Sequence, residues 1–260
     1  MKTTFCTNAF GNTQADQEKA IPYLGRLGYD GVELWEQYLV AADLPWVRDI
    51  TSAHHLEIVQ ICPYFDFTTS KNSWARSIDD AATFVEYAVE LNCGFIRTYT
   101  GNVGSADATK QQWVDCVEGL QTICNMGAVH GITFPLETHQ VRHHGPNLTD
   151  TSPSTLRLLK DVGMENLTVN LQTPLIGETV METVEQLGDR VNHLHAHNWI
   201  GDWPNLTFLD AGDIDFRAFL AGLCEKGFDG YISIEHGNHH PVEETAKHEI
   251  HYLRGLIEDL

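Results

Sequence analysis

Short runs rich in β-branched and aromatic residues alternate with longer amphipathic segments along the whole chain. The short runs predict strands, and they read "TTFCTN", "GVELW", "LEIVQICPY", "GFIRTYTG", "GITFPLETH", "LTVNLQ", "VNHLHAHN" and "GYISIEH". The segments between them have helix-like spacing, over about 14–27, 44–54, 74–91, 108–130, from 151 onward, 178–187, 215–225 and 241–256. The pattern therefore predicts eight successive strand–helix units.

Glycines mark the ends of several predicted helices, in "RLGYDG", "ELNCG", "VHG" and "EKGFDG". Each can take the left-handed conformation of a helix C-cap before the next strand. Alternating strands and helices over about 250 residues are typical of a closed parallel barrel. We predict an α/β fold in which residues 1–260 form a single (β/α)8 TIM-barrel domain. A doubly wound open sheet is the alternative, but "NAFGNT" after the first strand is not a dinucleotide fingerprint.

Three histidines, His193, His195 and His197, occupy alternate positions of the seventh predicted strand. Alternate residues of a strand point to the same face, so the three imidazoles share one direction. Three imidazoles on one face suggest a metal or acid–base site, provided that carboxylates converge on the same place.

Four inward-facing polar residues are predicted to meet near the carboxyl ends of neighbouring strands: Glu137, Gln172, His195 and Glu235. That end of a TIM barrel carries the active site. Two carboxylates, an amide oxygen and an imidazole are plausible ligands for a hard or borderline divalent cation. The pattern thus predicts one divalent metal ion at this end of the barrel.

The chain is strongly acidic, with 16 Lys and Arg against 36 Asp and Glu and a net charge of −20. This charge argues against nucleic acid and anionic membranes as partners, because binding phosphates needs cations. The six cysteines form no C-x-x-C pair, which favours reduced thiols in a cytoplasmic protein. The first residues lack the apolar core of a signal peptide, and no apolar run reaches the roughly 20 residues of a membrane span.

Four motifs, in order along nearly the whole chain, resemble the xylose isomerase-like TIM barrels, loosely called sugar phosphate isomerases/epimerases. They are "GYDGVELW", "GITFPLETH", "VNHLHAHN" and "LDAGDIDFRAFLAGLCEKGFDGYISIEH". The resemblance implies a Mn, Mg, Co or Zn ion held by Glu, Asp, His and Glu from strands five to eight. Three of these ligands map to Glu137, His195 and Glu235.

The sequence departs from the family pattern at three places. The Asp position falls on Gln172, and a neutral amide offers a cation less charge than a carboxylate, which predicts weaker metal binding. The family's Lys-Asp after the metal-binding His is replaced by His197 and Asn198, and a further family His is Leu175.

Substrate contacts are expected at His139, His197, Glu33 and Trp199. For the two histidines, a structural hydrogen bond is an equally good interpretation. Glu33 has the alternative of an internal ion pair with Arg97. Trp199 lies in the long loop after strand seven, where stacking on a sugar face and ordinary loop packing are both plausible.

The leading functional hypothesis is a metal-dependent sugar, sugar-phosphate or keto-polyol isomerase or epimerase that works through an enediolate. A metal would chelate a carbonyl and the adjacent hydroxyl, while Glu137 and Glu235 act as the acid–base pair. By analogy with relatives, the protein is a possible homo-oligomer.

Three other functions remain open or are disfavoured. The resemblance also covers lyases, similar to inosose or dehydroshikimate dehydratases and to deglycosidases, in which the same proton abstraction ends in elimination. A branch resembling endonuclease IV is disfavoured by the net charge of −20. A non-catalytic sugar-binding barrel is the third alternative. Its support is the replacement of the family's metal-binding Asp by Gln172.

Overall fold

The computed structural model describes residues 1–40, 42–138, 146–201, 205–235 and 240–260. Within these ranges, eight parallel strands form one sheet, and two short strands form a separate antiparallel pair. The eight are β1 (Lys2–Cys6), β2 (Gly31–Trp35), β3 (Glu57–Cys62), β4 (Phe95–Ile96), β5 (Phe134–Glu137), β6 (Leu167–Leu171), β7 (Val191–Ala196) and β10 (Tyr231–Ile234). The pair consists of β8 (Asn198–Trp199) and β9 (Leu206–Thr207).

The parallel strands follow one another around a barrel in the order β4-β3-β2-β1-β10-β7-β6-β5. Backbone bonds join the two ends of this series: Ile96 N donates to Thr133 O at 3.0 Å, and Thr98 N donates to Pro135 O at 2.8 Å. The predicted TIM barrel is therefore confirmed, and the open-sheet alternative is wrong.

At least one helix on the outside of the barrel follows each strand of the sheet. The helices are α1 (Gln14–Leu27), α2 (Glu36–Leu39), α3 (Leu44–Ala53), α4 (Lys71–Glu90), α5 (Lys110–Ala128), α6 (Ser152–Val162), α7 (Val180–Leu187), α8 (Phe216–Glu225) and α9 (Val242–Asp259). Their bounds differ from the predicted ones by a few residues. For example, α4 begins before Trp74 because Ser70 accepts a hydrogen bond from Ser73 N at 3.0 Å and caps the helix there.

Several short elements were not predicted: the one-turn helix α2, the β8–β9 pair, and the 3₁₀ helices Thr7–Phe10 and Gly188–Arg190. All are too short to show a periodicity in the sequence. The side chain of Asn198 anchors the β8–β9 excursion by donating to Leu209 O at 2.8 Å and to Ile214 O at 3.0 Å.

The barrel interior contains many polar groups, whereas the space between strands and helices is apolar. The polar or charged residues from the strands and their ends that are at most 1 % exposed include Glu33, Gln60, Arg97, Asn170, His193 and His195. Buried polar groups are costly unless they bond to one another. These residues therefore require a connected set of partners inside the barrel.

The cysteines are all unpaired, as the sequence predicts, and five of the six are buried. None of the helices in the described part of the chain is long and apolar enough to cross a membrane.

Glu249 on α9 is a buried carboxyl group away from the strands, and it is 2 % exposed. Its Oε1 accepts a hydrogen bond from Leu209 N at 3.0 Å, and its Oε2 has no hydrogen-bond partner among the described residues. Burial, aided by nearby Asp210, outweighs the bond from Leu209 and raises the pKa of Glu249 from 4.5 to about 8.

Glu249→Gln is expected to remove a pH dependence from folding stability. The folded pKa lies above the unfolded one, so the stabilisation is full below about pH 4.5 and is lost as the pH rises through about 8. The variant should match the wild type in acid and exceed it in alkali, by on the order of a few kcal/mol. Urea unfolding across this pH range measures the difference. Glu244→Gln, an exposed change on the same helix, is the control, and superimposable profiles for Glu249→Gln and wild type would contradict the assignment.

Candidate active site

The carboxyl ends of β5, β6, β7 and β10 bring four polar side chains into one cluster. Glu137 is the last residue of β5 and His195 lies near the end of β7, while Gln172 and Glu235 directly follow β6 and β10. Thr138 links two of these strand ends, because its Oγ1 donates to Gln172 O at 2.7 Å. The four residues that the strand pattern predicts to meet are thus neighbours in the structure.

Three of these side chains form a group with the spacing of a metal site. One ligand atom each from Glu137, His195 and Glu235 lies within 4.8 Å of the other two. Nδ1 of His195 is 2.7 Å from Oε1 of Glu137 and 3.9 Å from Oε2 of Glu235. Two carboxylates and one imidazole are a donor set that suits several divalent cations.

Gln172 completes the group on the side of Glu235. Its Nε2 donates to Oε2 of Glu235 at 2.6 Å, so the amide is held in a fixed orientation. Its Oε1 is buried and has no hydrogen-bond partner among the described residues. A buried acceptor without a donor is costly, and a cation at the cluster would satisfy it.

Glu33 lies behind His195 on the far side from Glu137. Oε2 of Glu33 is 3.1 Å from Nε2 of His195, and Oε1 is 2.5 Å from Nε2 of His193. A carboxylate bonded to one ring nitrogen of a histidine orients the ring and leaves the other nitrogen for a ligand. The side chain of Glu33 is fully buried and bonded to the two histidines, and the substrate contact expected there stays a prediction.

These bonds shift the pKa values of both partners. Burial disfavours the charged form of Glu33, but the neighbouring imidazoles of His193 and His195 outweigh it and lower the pKa of Glu33 well below its usual value. Burial likewise opposes the charge on His195, but Glu33 and Glu137 together raise its pKa well above 6.5. Without a bound cation, the Glu33–His195 pair is thus favoured in its charged form, and a cation bound at Nδ1 would replace the proton there.

Arg97 pairs with Glu137 and not with Glu33, which corrects the predicted ion pair. Nη1 of Arg97 is 3.1 Å from Oε2 of Glu137, and Nη2 donates to Pro63 O at 2.8 Å. Arg97 follows β4, which adjoins β5, whereas the Glu33 carboxylate is already occupied by two histidines. The guanidinium also lies over two aromatic rings, 4.6 Å from the ring centre of Trp35 and 4.2 Å from that of Tyr64.

The other predicted substrate contacts have different positions. His197 bonds to Thr173 O through Nε2 at 2.7 Å and lies 3.5 Å from Glu235 through Nδ1. Trp199 lies beside His197 and lines a separate, mainly apolar pocket formed with α7 and α8. His139 lies outside the described residues.

Two polar neighbours of the cluster were missed as site residues. Nδ2 of Asn170 is 3.1 Å from Nε2 of His195, and Nε2 of Gln60 donates to Oε2 of Glu33 at 3.1 Å. The sequence does contain a signal for them, because each is an amide inside an otherwise mainly apolar strand. An amide in a buried strand needs a polar partner, which points to other polar groups nearby.

A cavity of about 510 Å³ opens beside the cluster, at the carboxyl ends of β1 to β4. Its lining includes Trp35, Glu36, Tyr64, Asp66 and Tyr99. The sequence pattern did not indicate it, because these residues lie at or beyond the ends of separate strands and their convergence depends on barrel closure.

A (β/α)8 barrel with a carboxylate–imidazole cluster at the carboxyl ends of its strands is a common enzyme architecture. The family described as "Xylose isomerase-like TIM barrel" matches residues 22–256 of this sequence. The chain therefore belongs to the xylose isomerase-like TIM barrel family, as the motifs predict.

Curated relatives include enzymes of two reaction classes. A 3-dehydroshikimate dehydratase of Bacillus anthracis is 31% identical over 212 residues, covering 76% of this chain and 72% of the relative. An L-ribulose 3-epimerase of Methylomonas sp. is 26% identical over 257 residues, covering 94% of this chain and 87% of the relative. The crystal structure of the probable 3-DHS dehydratase AsbF of Bacillus anthracis superposes with a TM-score of 0.83 at 25% identity, covering 98% of this chain and 99% of that one.

Gln172→Glu is expected to strengthen divalent-metal binding, because it adds a carboxylate to the cluster without changing the length of the side chain. We expect the Kd for Mn²⁺ to fall by about tenfold, as one more charged ligand increases cation affinity. Without metal, the variant should unfold at a lower temperature, since the new carboxylate would face Glu235 where an amide now donates to it. Calorimetric titration and melting curves with and without Mn²⁺ measure both effects.

Gln172→Leu is the matched control and should weaken Mn²⁺ binding. The assignment is contradicted if Gln172→Glu binds Mn²⁺ no better than the wild type does.

Proposed function

We propose that the protein is a divalent-metal-dependent isomerase or epimerase of a sugar or keto-polyol, and that Glu137 and Glu235 form its acid–base pair. The observation that carries the proposal is the approach of both carboxylates to His195, with ligand atoms within 4.8 Å of one another. The match to an L-ribulose 3-epimerase over 94% of this chain supports the reaction class.

The donor set supports a cation at this place. Glu137, His195 and Glu235 supply two carboxylates and an imidazole, and Gln172 supplies a buried amide oxygen without a hydrogen-bond partner in the described structure. When bound by these residues, a divalent cation would supply Lewis-acid chemistry, which would acidify a C–H bond beside a substrate carbonyl.

The two glutamates divide the proton transfers in our proposal. One carboxylate removes the proton from the carbon beside the carbonyl and leaves an enediolate. The other, in its protonated form, returns a proton to the opposite face of that carbon, which inverts the centre. Arg97 matches the negative charge of Glu137 at 3.1 Å, and Glu235 is 23 % exposed, so it can exchange its proton with solvent.

Dehydration of a cyclic hydroxyketone is a second candidate, favoured by the 31% identity to a 3-dehydroshikimate dehydratase. The same proton abstraction gives this reaction when a hydroxyl group lies β to the carbonyl. The C–O bond then breaks, the hydroxyl leaves with a proton as water, and a conjugated double bond forms. Mass spectrometry distinguishes the two candidates, because epimerisation conserves the substrate mass whereas dehydration removes one water.

Glu137→Gln and Glu235→Gln are each expected to lower kcat for L-ribulose epimerisation by about 10²- to 10⁴-fold, because each removes one general acid or base. In deuterium oxide, at least one variant should still exchange the substrate C–H while retaining configuration, because the remaining carboxylate acts on one face alone. Proton NMR measures exchange and inversion in one experiment.

Glu86→Gln, an exposed change on α4, serves as the control for loss of one negative charge. Metal content is measured on every variant, so that loss of the cation is distinguished from loss of proton transfer. Full epimerase activity in either variant with metal bound would refute the assigned pair. A protein that binds sugars but neither epimerises nor dehydrates them would be a binding barrel.

A further inference from the structure

The cavity at the carboxyl ends of β1 to β4 adjoins the proposed acid–base pair through Arg97. Trp35 and Tyr64 line the cavity, and their rings cover the Arg97 guanidinium at 4.6 and 4.2 Å. Arg97 in turn bonds to Glu137 at 3.1 Å. A ligand that reacts at Glu137 therefore has this cavity of about 510 Å³ as its neighbouring space.

The lining combines aromatic rings with neutral hydrogen-bonding groups. Four of the lining residues are aromatic: Trp35, Tyr64, Phe65 and Tyr99. Four carry side-chain amides: Asn8, Asn12, Gln37 and Asn102. Aromatic faces pack against apolar C–H surfaces, and amides both donate to and accept from hydroxyl groups. This combination suits an uncharged polyhydroxylated molecule.

The charged groups of the lining are both acidic. Glu36 and Asp66 line the cavity, and none of its described lining residues is Lys, Arg or His. Arg97 is 1 % exposed and does not line the cavity, and its charge is matched by the ion pair with Glu137. Among the described residues, the lining of the cavity therefore offers an anionic ligand no unpaired cationic side chain.

Backbone donors hold the two carboxyl groups in place. Oε2 of Glu36 accepts from Tyr64 N at 2.8 Å. Oδ1 of Asp66 accepts from Thr68 N and from Thr69 N, both at 3.0 Å. Burial raises the pKa of Glu36 from 4.5, and the bond from Tyr64 N opposes that shift because it favours the ionised form. Both acidic groups therefore have fixed positions next to the cavity.

We propose that this cavity holds the neutral, hydroxyl-bearing end of a ketose and rejects substrates with a phosphate or carboxylate there. The inference rests on the proposed function for the identity of the reacting carbon, and it names the substrate class of that site. It makes sugar phosphates and anionic ring carboxylates poor substrates, although the fold is shared with relatives that include a dehydratase. A phosphate of about −2 charge would lie near Glu36 and Asp66, with no cationic side chain among the described lining residues to balance it.

The test is calorimetric binding to the manganese-loaded protein at physiological salt. L-ribulose is compared with L-ribulose 5-phosphate, and D-fructose with its 1-phosphate and 6-phosphate, so that an anion is placed at either end. Each neutral ketose is expected to bind at least about tenfold more tightly than its phosphate esters, from the repulsion of nearby like charges. Equal or tighter binding of a phosphate ester overturns the proposal, as does failure of both neutral ketoses to bind.

Two matched variants locate the source of the discrimination. Glu36→Gln keeps an acceptor for Tyr64 N. It should reduce the ratio of the Kd of a phosphate ester to the Kd of the neutral ketose by about threefold or more. Glu86→Gln removes one charge from the part of α4 that is remote from the cavity. It should leave the Kd ratio unchanged, because charges beyond about 8 Å are screened at physiological salt. Equal narrowing by both variants would assign the effect to the overall charge of −20 and overturn the proposal.

Epimerase activity is assayed separately on the same preparations. Binding in the expected order without turnover would refute the proposed reaction and leave the inferred ligand class in place. Turnover of L-ribulose 5-phosphate in preference to L-ribulose would refute the ligand class and leave the reaction in place.

Discussion

A chain of buried ionisable side chains, each bonded to the next, determines the interior of this barrel. Glu33 bonds to both His193 and His195, His195 bonds to Glu137, and Glu137 bonds to Arg97. A buried charge without a partner is strongly destabilising. Removing any one of these side chains would therefore leave its neighbour buried without that partner and would destabilise the fold. The positions of the proposed reactive groups therefore follow from the same bonds that make a polar interior tolerable.

The mouth of the barrel has two parts with different chemistry. On the side of β5, β6, β7 and β10, ligand atoms of two carboxylates and an imidazole lie within 4.8 Å of one another. On the side of β1 to β4, aromatic rings and amides surround a cavity whose charged groups are Glu36 and Asp66. One part suits proton transfer and the other suits holding a neutral polyol, and Arg97 lies between them with contacts to both.

The sequence predicted the barrel and the four clustered residues because both depend on local rules. Strand alternation decides which side chains face inward, and parallel strands place their carboxyl ends together, so Glu137 and Glu235 could be paired without coordinates. The partner of Arg97 could not be predicted, since Glu33 and Glu137 both face inward and the choice depends on which one the histidines occupy. The cavity could not be predicted either, because its lining comes from segments at the ends of four strands, whose relative positions depend on the closed barrel.

The junction of β4 and β5 has a consequence for how this molecule holds together. β4 has two residues, and its contacts with the β5 segment are isolated bridges, Phe95 with Thr133 and Thr98 with Leu136. The strand pairing of the barrel is therefore weakest at this junction. Arg97 and Glu137 lie on opposite sides of the junction and form an ion pair across it. Glu137, which we propose transfers protons, therefore also helps to hold β4 against β5. Any substitution of Glu137 that changes the chemistry would have to replace this contact between the two strands.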